Sequence, residues 1–403
     1  MHTIKDLGNL SGKKVMVRVD FNVPLKGTEI RDDNRVVSAL PTIKELLSKN
    51  ARVVLFSHLG KIKWGKATDE EINAQKEKNN MMYVYPRLKE LLAPVNVYFS
   101  EATSGAKLKE AINNLKDGEV LLVQNTRYEK GESKNDPALS ADWASNFDVF
   151  VMDAFGSAHR AHASTYGVPE ILKKEGKPCA LGFLMEKEVT NLSKCVTANE
   201  HPYIAILGGF KVSDKIKVID SLLKKCDKIL IGGAMSYTFL KALGKHIGTS
   251  PCEDDQLEYA SKCYESGKIV LPIDTVCADA FENYTVIETV KGGEIPDGFE
   301  GLDIGPDTVN LYAKEIAKAK VIFWNGPMGV FENKDFAAGT IGVCKAISEN
   351  KHCFSVIGGG DSAAAAKQFG FADKFSHVST GGGASLEMIE NDGHLPGIDV
   401  IEV

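Results

Sequence analysis

At 403 residues, 43% of them hydrophobic, the chain exceeds what one hydrophobic core usually supports, so two domains are expected. A net charge of −6 argues against nucleic acid as a partner. No apolar run reaches membrane-spanning length and Met1–Gly12 lacks the apolar stretch of a secretion signal, so no membrane partner and a cytoplasmic location are expected. The eight cysteines show no C-x-x-C spacing, and the first 178 residues contain none. They read as reduced thiols packed as small apolar groups.

Arginine is used unevenly. All seven, Arg18, Arg31, Arg35, Arg52, Arg87, Arg127 and Arg160, fall before residue 161, while lysines run throughout. A rigid guanidinium fork suits carboxylate and phosphate, so an acidic, phosphorylated small substrate is expected in the first half. The predicted strands there are Lys14–Val23, Arg52–Phe56, Val95–Phe99, Glu119–Val123 and Val149–Met152, apolar runs alternating with helical segments as in a parallel sheet. Polar groups follow four of them: Asp20 and Asn22, then His58, then Asn125 and Arg127, then Asp153 with His159, Arg160 and His162 soon after. Ligands of open α/β sheets bind beyond the carboxyl ends of the strands, so these groups are expected to converge. His159 and His162 have the spacing of a metal pair, but no cysteine or carboxylate set accompanies them, and anion binding is the favoured reading. The charged stretch 61–80 reads as a solvated excursion from the sheet.

Glu186–Cys195 is predicted as a helix joining the halves. From Tyr203 a second α/β series begins, and its strands end in glycine. Tyr203–Leu207 precedes Gly208-Gly209, Ile229–Ile231 precedes Gly232-Gly233, and Val321–Trp324 precedes Asn325-Gly326-Pro327. Cys353–Ile357 precedes Gly358-Gly359-Gly360-Asp361 and a helix over Ser362–Phe369; Phe375–Val378 precedes the glycine run 379–385. Bare backbone at the positive end of a helix accepts phosphate. A carboxylate there, Asp361, is tolerated only with a cation between, which points to a magnesium nucleotide. The fold class expected is α/β, with two Rossmann-like domains of parallel sheets joined by an interdomain helix and a hinge.

There is no G-x-x-x-x-G-K-[ST], so the chain is not a P-loop enzyme. Gly358–Ala363 satisfies G-x-G-x-x-A, but no acid for a ribose ends the next predicted strand, which disfavours a nicotinamide dehydrogenase. A two-lobed solute receptor is the non-enzyme alternative, disfavoured by the missing secretion signal and by Lys211, Lys215 and Asp361 among the glycines. Lys211 and Lys215, four apart, are expected on one helical face over a migrating phosphoryl group.

Val19–Pro24, Ser57–Gly60, Asp153–Gly156 running into His159–His162, Gly208–Lys215, Asn325–Glu332, Gly358–Asp361 and Ser379–Glu387, in this order, resemble the phosphoglycerate kinase family over nearly the whole chain. The resemblance implies reversible transfer of the acyl phosphate of 1,3-bisphosphoglycerate to magnesium ADP, giving 3-phosphoglycerate and ATP. It implies that Asp20, Asn22, Arg35, His58, Arg127 and Arg160 hold the phosphoglycerate, with Arg35 also facing the transferred group. Lys211 and Lys215 would meet the phosphates in flight. Gly233, Gly305 and Glu332 would line the base and ribose, and Gly359, Gly360, Asp361 and Ser362 the phosphates and Mg2+. It further implies a monomer, with a phosphoglycerate domain over 1–180 completed by a returning segment at about 385–403, and a nucleotide domain over 181–384. One departure stands out: Lys61 occupies a place where the family commonly has arginine.

Overall fold

Short apolar runs, buried on both faces, set the architecture of this computed structural model, which describes residues 1–402. In the first half, β1 (Lys14–Arg18), β2 (Arg52–Phe56), β3 (Val97–Ser100), β4 (Val120–Val123), β5 (Val149–Met152) and β6 (Cys179–Leu181) form one parallel sheet in the order β3-β4-β2-β1-β5-β6. β1, β2, β4 and β5 bury nearly every residue, as a sheet covered on both faces requires. The first ladder stops at Arg18, five residues before the predicted end, because Asp20 Oδ1 accepts the Asn22 N–H and turns the chain out of the sheet.

In the second half, β7 (Tyr203–Leu207), β8 (Lys228–Ile231), β9 (Ile269–Val270), β13 (Val321–Asn325), β14 (Phe354–Ile357) and β15 (His377–Val378) make a second parallel sheet, in the order β9-β8-β7-β13-β14-β15. Counted within this half, that order is 3-2-1-4-5-6, the doubly wound arrangement whose switch point lies between β7 and β13. Between β9 and β13 the chain builds a three-stranded antiparallel sheet, with β10 (Asp274–Ala278) paired on either side by β11 (Ile287–Lys291) and β12 (Glu300–Ile304). Nothing in the sequence reading anticipated it.

Two compact units result: residues 1–189 with 394–403, and residues 190–393. The first boundary lies nine residues beyond the expected 180, inside the helix Phe183–Thr197. The helix Gly383–Glu390, which falls largely in the expected returning segment, belongs instead to the second unit, where Ser221 Oγ donates to the Ile389 carbonyl (2.9 Å) and Lys225 pairs with Asp392 (2.7 Å). Only 394–403 joins the first unit; there the Gly397 N–H donates to the Ala158 carbonyl (2.8 Å) and Lys173 Nζ to that of Ile401 (3.0 Å).

Asp153 leaves the expected ligand group. Its Oδ1 accepts the N–H groups of Leu184 (3.0 Å) and Met185 (3.3 Å), capping the helix Phe183–Thr197. Burial raises this carboxyl to about 6 against the pull of its hydrogen bonds. An acid whose folded pKa is raised stabilises the fold at low pH and loses that contribution as pH climbs from its unfolded value through about 6. Asp153→Asn retains the accepting oxygen, so its urea midpoint is expected to lack the part of the wild-type decline between pH 4.5 and 7 due to Asp153, worth about 2 kcal/mol. Equal slopes for the two proteins would refute the assignment.

Candidate functional site

Beyond the carboxyl ends of β1, β2 and β4, one chain of hydrogen bonds gathers most of the expected phosphoglycerate ligands. Arg35 Nη1 donates to Asp20 Oδ1 (3.1 Å) and to the Asn22 carbonyl (2.9 Å). Asn22 Oδ1 accepts the Gly60 N–H (2.8 Å), and the Gly60 carbonyl accepts from Arg127 Nη1 (2.8 Å). His58 is buried, with Nδ1 2.8 Å from Arg18 Nη2. Arg18 has no proton-accepting role, so this nitrogen accepts and the imidazole is neutral. Burial and the neighbouring guanidinium groups of Arg18, Arg127 and Arg35 hold His58 well below its usual range. Arg160 is exposed beside His159, with Nε 3.3 Å from the ring Nε2, and joins the cluster through its field rather than by contact. That field, after burial, helps lower both Arg127 and His162.

Arg18 and Glu132 belong to this cluster and were missed. Arg18 is 1% exposed, with Nε donating to Ser164 Oγ (2.8 Å). Glu132 is also 1% exposed; its Oε1 accepts the Ser164 N–H (2.8 Å), and against the burial that lowers Arg18, Arg127 and His162 its field favours their protonated forms. A cluster of buried positive charge needs such a counter-ion. Arg18 was legible as a charge in an otherwise apolar strand; Glu132, in a loop of mixed charge, carried no signal. Lys61 is exposed, and its carbonyl accepts from Asn79 Nδ2 (3.2 Å).

In the second unit the site lies at the switch point. Gly208, after β7, and Gly326, after β13, approach so closely that a Cβ on either would strike the other's backbone turn. Gly359, at φ 113°, starts the helix Gly360–Gln368 against the Asn325 side chain, a conformation and a clearance that only glycine provides. Around these turns lies a cavity of about 300 Å³ whose lining carries the polar groups of Lys215, Asn325, Asp361 and Ser362 beside Gly359 and Gly360. An apolar cavity of about 410 Å³ is lined by Gly233, Tyr237, Gly301, Leu302, Val330 and Glu332. Gly209, Phe210, Pro327 and Asp361 border both. Lys215 Nζ rests on Asn325 Oδ1, and burial lowers its pKa to about 8 against the raising fields of Asp214, Asp361 and Glu390.

Two expectations are corrected here and a third is refined. Gly305 lines neither cavity; it caps the helix Pro306–Lys318, where a Cβ would collide with Asp274, and Gly301 of the same glycine-bearing stretch takes the cavity wall. Lys211 and Lys215 share no helical face, because helical structure begins only with the short turn Ser213–Lys215 and the α-helix with Ile216. Lys211 is exposed and outside both cavity linings. The stretch 61–80 lies outside the sheet and is largely solvated, as expected, with Ile72 alone buried, but it is ordered as the helix Asp69–Lys78, capped by Thr68, and its Trp64 reaches the Arg127 backbone.

The phosphoglycerate kinase family model matches residues 4–392. The chain is 54% identical to the phosphoglycerate kinase of Fusobacterium nucleatum over 404 aligned residues, covering 99% of this chain and 98% of that protein. It is 52% identical to that of Enterococcus faecalis, covering 98% of each. The structure of phosphoglycerate kinase from Coxiella burnetii is similar at a TM-score of 0.86 and 36% identity, covering 99% of this chain and 98% of that one. The enzyme from Pyrococcus horikoshii OT3 is similar at 0.80 and 31%, covering 100% of this chain and 98% of that one. A polar crest of arginines on one unit, a glycine-walled switch point on the other, and matches that run almost end to end agree: the chain belongs to the phosphoglycerate kinase family.

Proposed function

We propose that the chain moves the acyl phosphate of 1,3-bisphosphoglycerate reversibly to magnesium ADP, with the crest around Asp20, Asn22, Arg35, His58, Arg127 and Arg160 holding the phosphoglycerate and the paired cavities of the second unit holding the nucleotide. The observation that carries this reading is the joined pair of cavities at the switch point, one apolar and sized for a base, the other bringing a lysine and a helix amino terminus to where phosphates would lie. The attacking oxygen of either substrate is already ionised, so no general base is needed and positioning with charge neutralisation supplies the catalysis. Lys215 neutralises the phosphoryl group in passage, and Arg35 meets it from the phosphoglycerate side. Because the two substrates are bound by different units, closure about the hinge is part of the proposal.

Asp361 stands without a second carboxylate among the residues lining the phosphate cavity. A single carboxylate fits magnesium carried in by the nucleotide, which needs one or two protein oxygens and takes the rest from phosphates and water. Magnesium would there offset the negative charge between Asp361 and the phosphates. A cytoplasmic monomer completes the reading.

The test is magnesium-dependent phosphoryl transfer from ATP to 3-phosphoglycerate, coupled through glyceraldehyde-phosphate dehydrogenase to loss of NADH. Loss of NADH that requires both substrates and magnesium is expected. None from a folded protein that binds ADP would overturn the phosphoglycerate half of the reading.

A further inference from the structure

Arg127 is held at three points, and residues of the 59–80 segment take part in each. Its N–H donates to Asn125 Oδ1 (3.0 Å), and Asn125 is itself tied through Nδ2 to the carbonyls of Leu59 (2.7 Å) and Asn79 (2.9 Å). Its guanidinium is held by the Gly60 carbonyl, while its buried Nε has no hydrogen-bond partner. Its own carbonyl accepts from Trp64 Nε1 (2.9 Å). The indole is fixed in turn: Lys76 Nζ sits 5.0 Å from its ring centroid and 5.4 Å from that of Tyr128, whose hydroxyl donates to the Lys76 carbonyl. Lys76 is therefore a cation between two aromatic faces, one on the segment and one on the residue following Arg127. A guanidinium gripped by a single hydrogen bond owes its aim to its backbone, and Trp64 and Lys76 lock that backbone.

We propose that Trp64 is a positioning residue for Arg127, its indole N–H holding the Arg127 carbonyl so that the guanidinium keeps the orientation that receives the phosphoglycerate anion. The inference rests on the reading of Arg127 as a phosphoglycerate ligand. The other two tryptophans, Trp143 and Trp324, are fully buried, whereas Trp64 is half-buried, so Trp64 is also the indole whose emission responds to an anion arriving at Arg127.

Trp64→Phe keeps one aromatic ring facing Lys76 and removes the donor along with the second ring of the indole. The KM for 3-phosphoglycerate is expected to rise about five- to tenfold, with kcat within about twofold and the KM for ATP unchanged, the signature of lost binding shared by ground and transition states. Titrating the wild type with 3-phosphoglycerate is expected to alter tryptophan emission, and that response is expected to vanish in Trp64→Phe. If Trp64→Phe fails to fold, Lys76→Met loosens the same lock and is expected to raise the same KM, with Lys76→Arg restoring it. An active wild type whose KM for 3-phosphoglycerate is unmoved by these variants would overturn the positioning role alone, as would equal changes in both substrates' KM. A wild type that neither binds nor turns over 3-phosphoglycerate would overturn the role together with the reading beneath it.

Discussion

Lys215→Met is expected to lower kcat about a thousandfold while leaving the KM for 3-phosphoglycerate within about twofold, the result of removing a preorganised charge that acts in the transition state. The side chain is set up for this work: it reaches back across Gly209 to Asn325, between the two glycine turns of the switch point. Its lowered pKa of about 8 adds a pH signature. The ammonium form is the useful one, so kcat/KM for ATP is expected to be level below about pH 8 and to fall above it. Bound phosphates favour the charged form, so the fall in kcat should lie at higher pH than the fall in kcat/KM. For the fold the sign is reversed: burying this charge costs stability below about 8, and the cost is relieved as pH rises towards the unfolded value. A kcat/KM for ATP that stays level to pH 9.5 would show that another group supplies the charge.

Arg35→Ala is expected to reduce kcat about a hundredfold or more and to raise the KM for 3-phosphoglycerate, because one guanidinium serves both the bound anion and the transferred group. Its side chain is 44% exposed yet anchored on Asp20 and the Asn22 carbonyl, so it can swing to a substrate without disturbing the core. The thermal midpoint should therefore change little, which separates loss of function from loss of fold. Arg35→Lys is expected to recover only part of the rate, since an ammonium cannot present the paired donors of the fork. Wild-type kinetics in Arg35→Ala would remove it from the site.

Much of this was readable in the sequence because hydrophobic runs and glycines report directly on backbone environment. Arg52–Phe56, Val149–Met152 and Tyr203–Leu207 are strands with the predicted bounds, since a short run apolar at nearly every position is stable only inside a covered sheet. The glycine turns after β7, β13 and β14 were legible for the same kind of reason. What escaped notice depends on contacts distant in sequence. β11 is largely exposed and rich in Glu, Thr and Lys, so its strand character comes from pairing with β10 rather than from its own pattern. Gly305 and Gly301 are equivalent as letters, and only the collision of one with Asp274 and the position of the other in the cavity wall tell them apart. The 61–80 stretch is solvated as its composition suggests, but its hold on Arg127 uses one indole N–H and one lysine between two rings, neither of which leaves a periodic trace.

The apolar wall of the base cavity has a thermal consequence. If the nucleobase seats as proposed against Gly301, Leu302 and Val330, hydrocarbon surface leaves water, so ADP association is expected to carry a negative heat-capacity change and an enthalpy that becomes more favourable on warming. The arginine crest offers charge and little hydrocarbon, so phosphoglycerate association there, on the proposed reading, is expected to show a flatter enthalpy and a steeper dependence on ionic strength. On that reading the two substrates of one reaction would be held by forces that answer to different variables, heat on one unit and salt on the other.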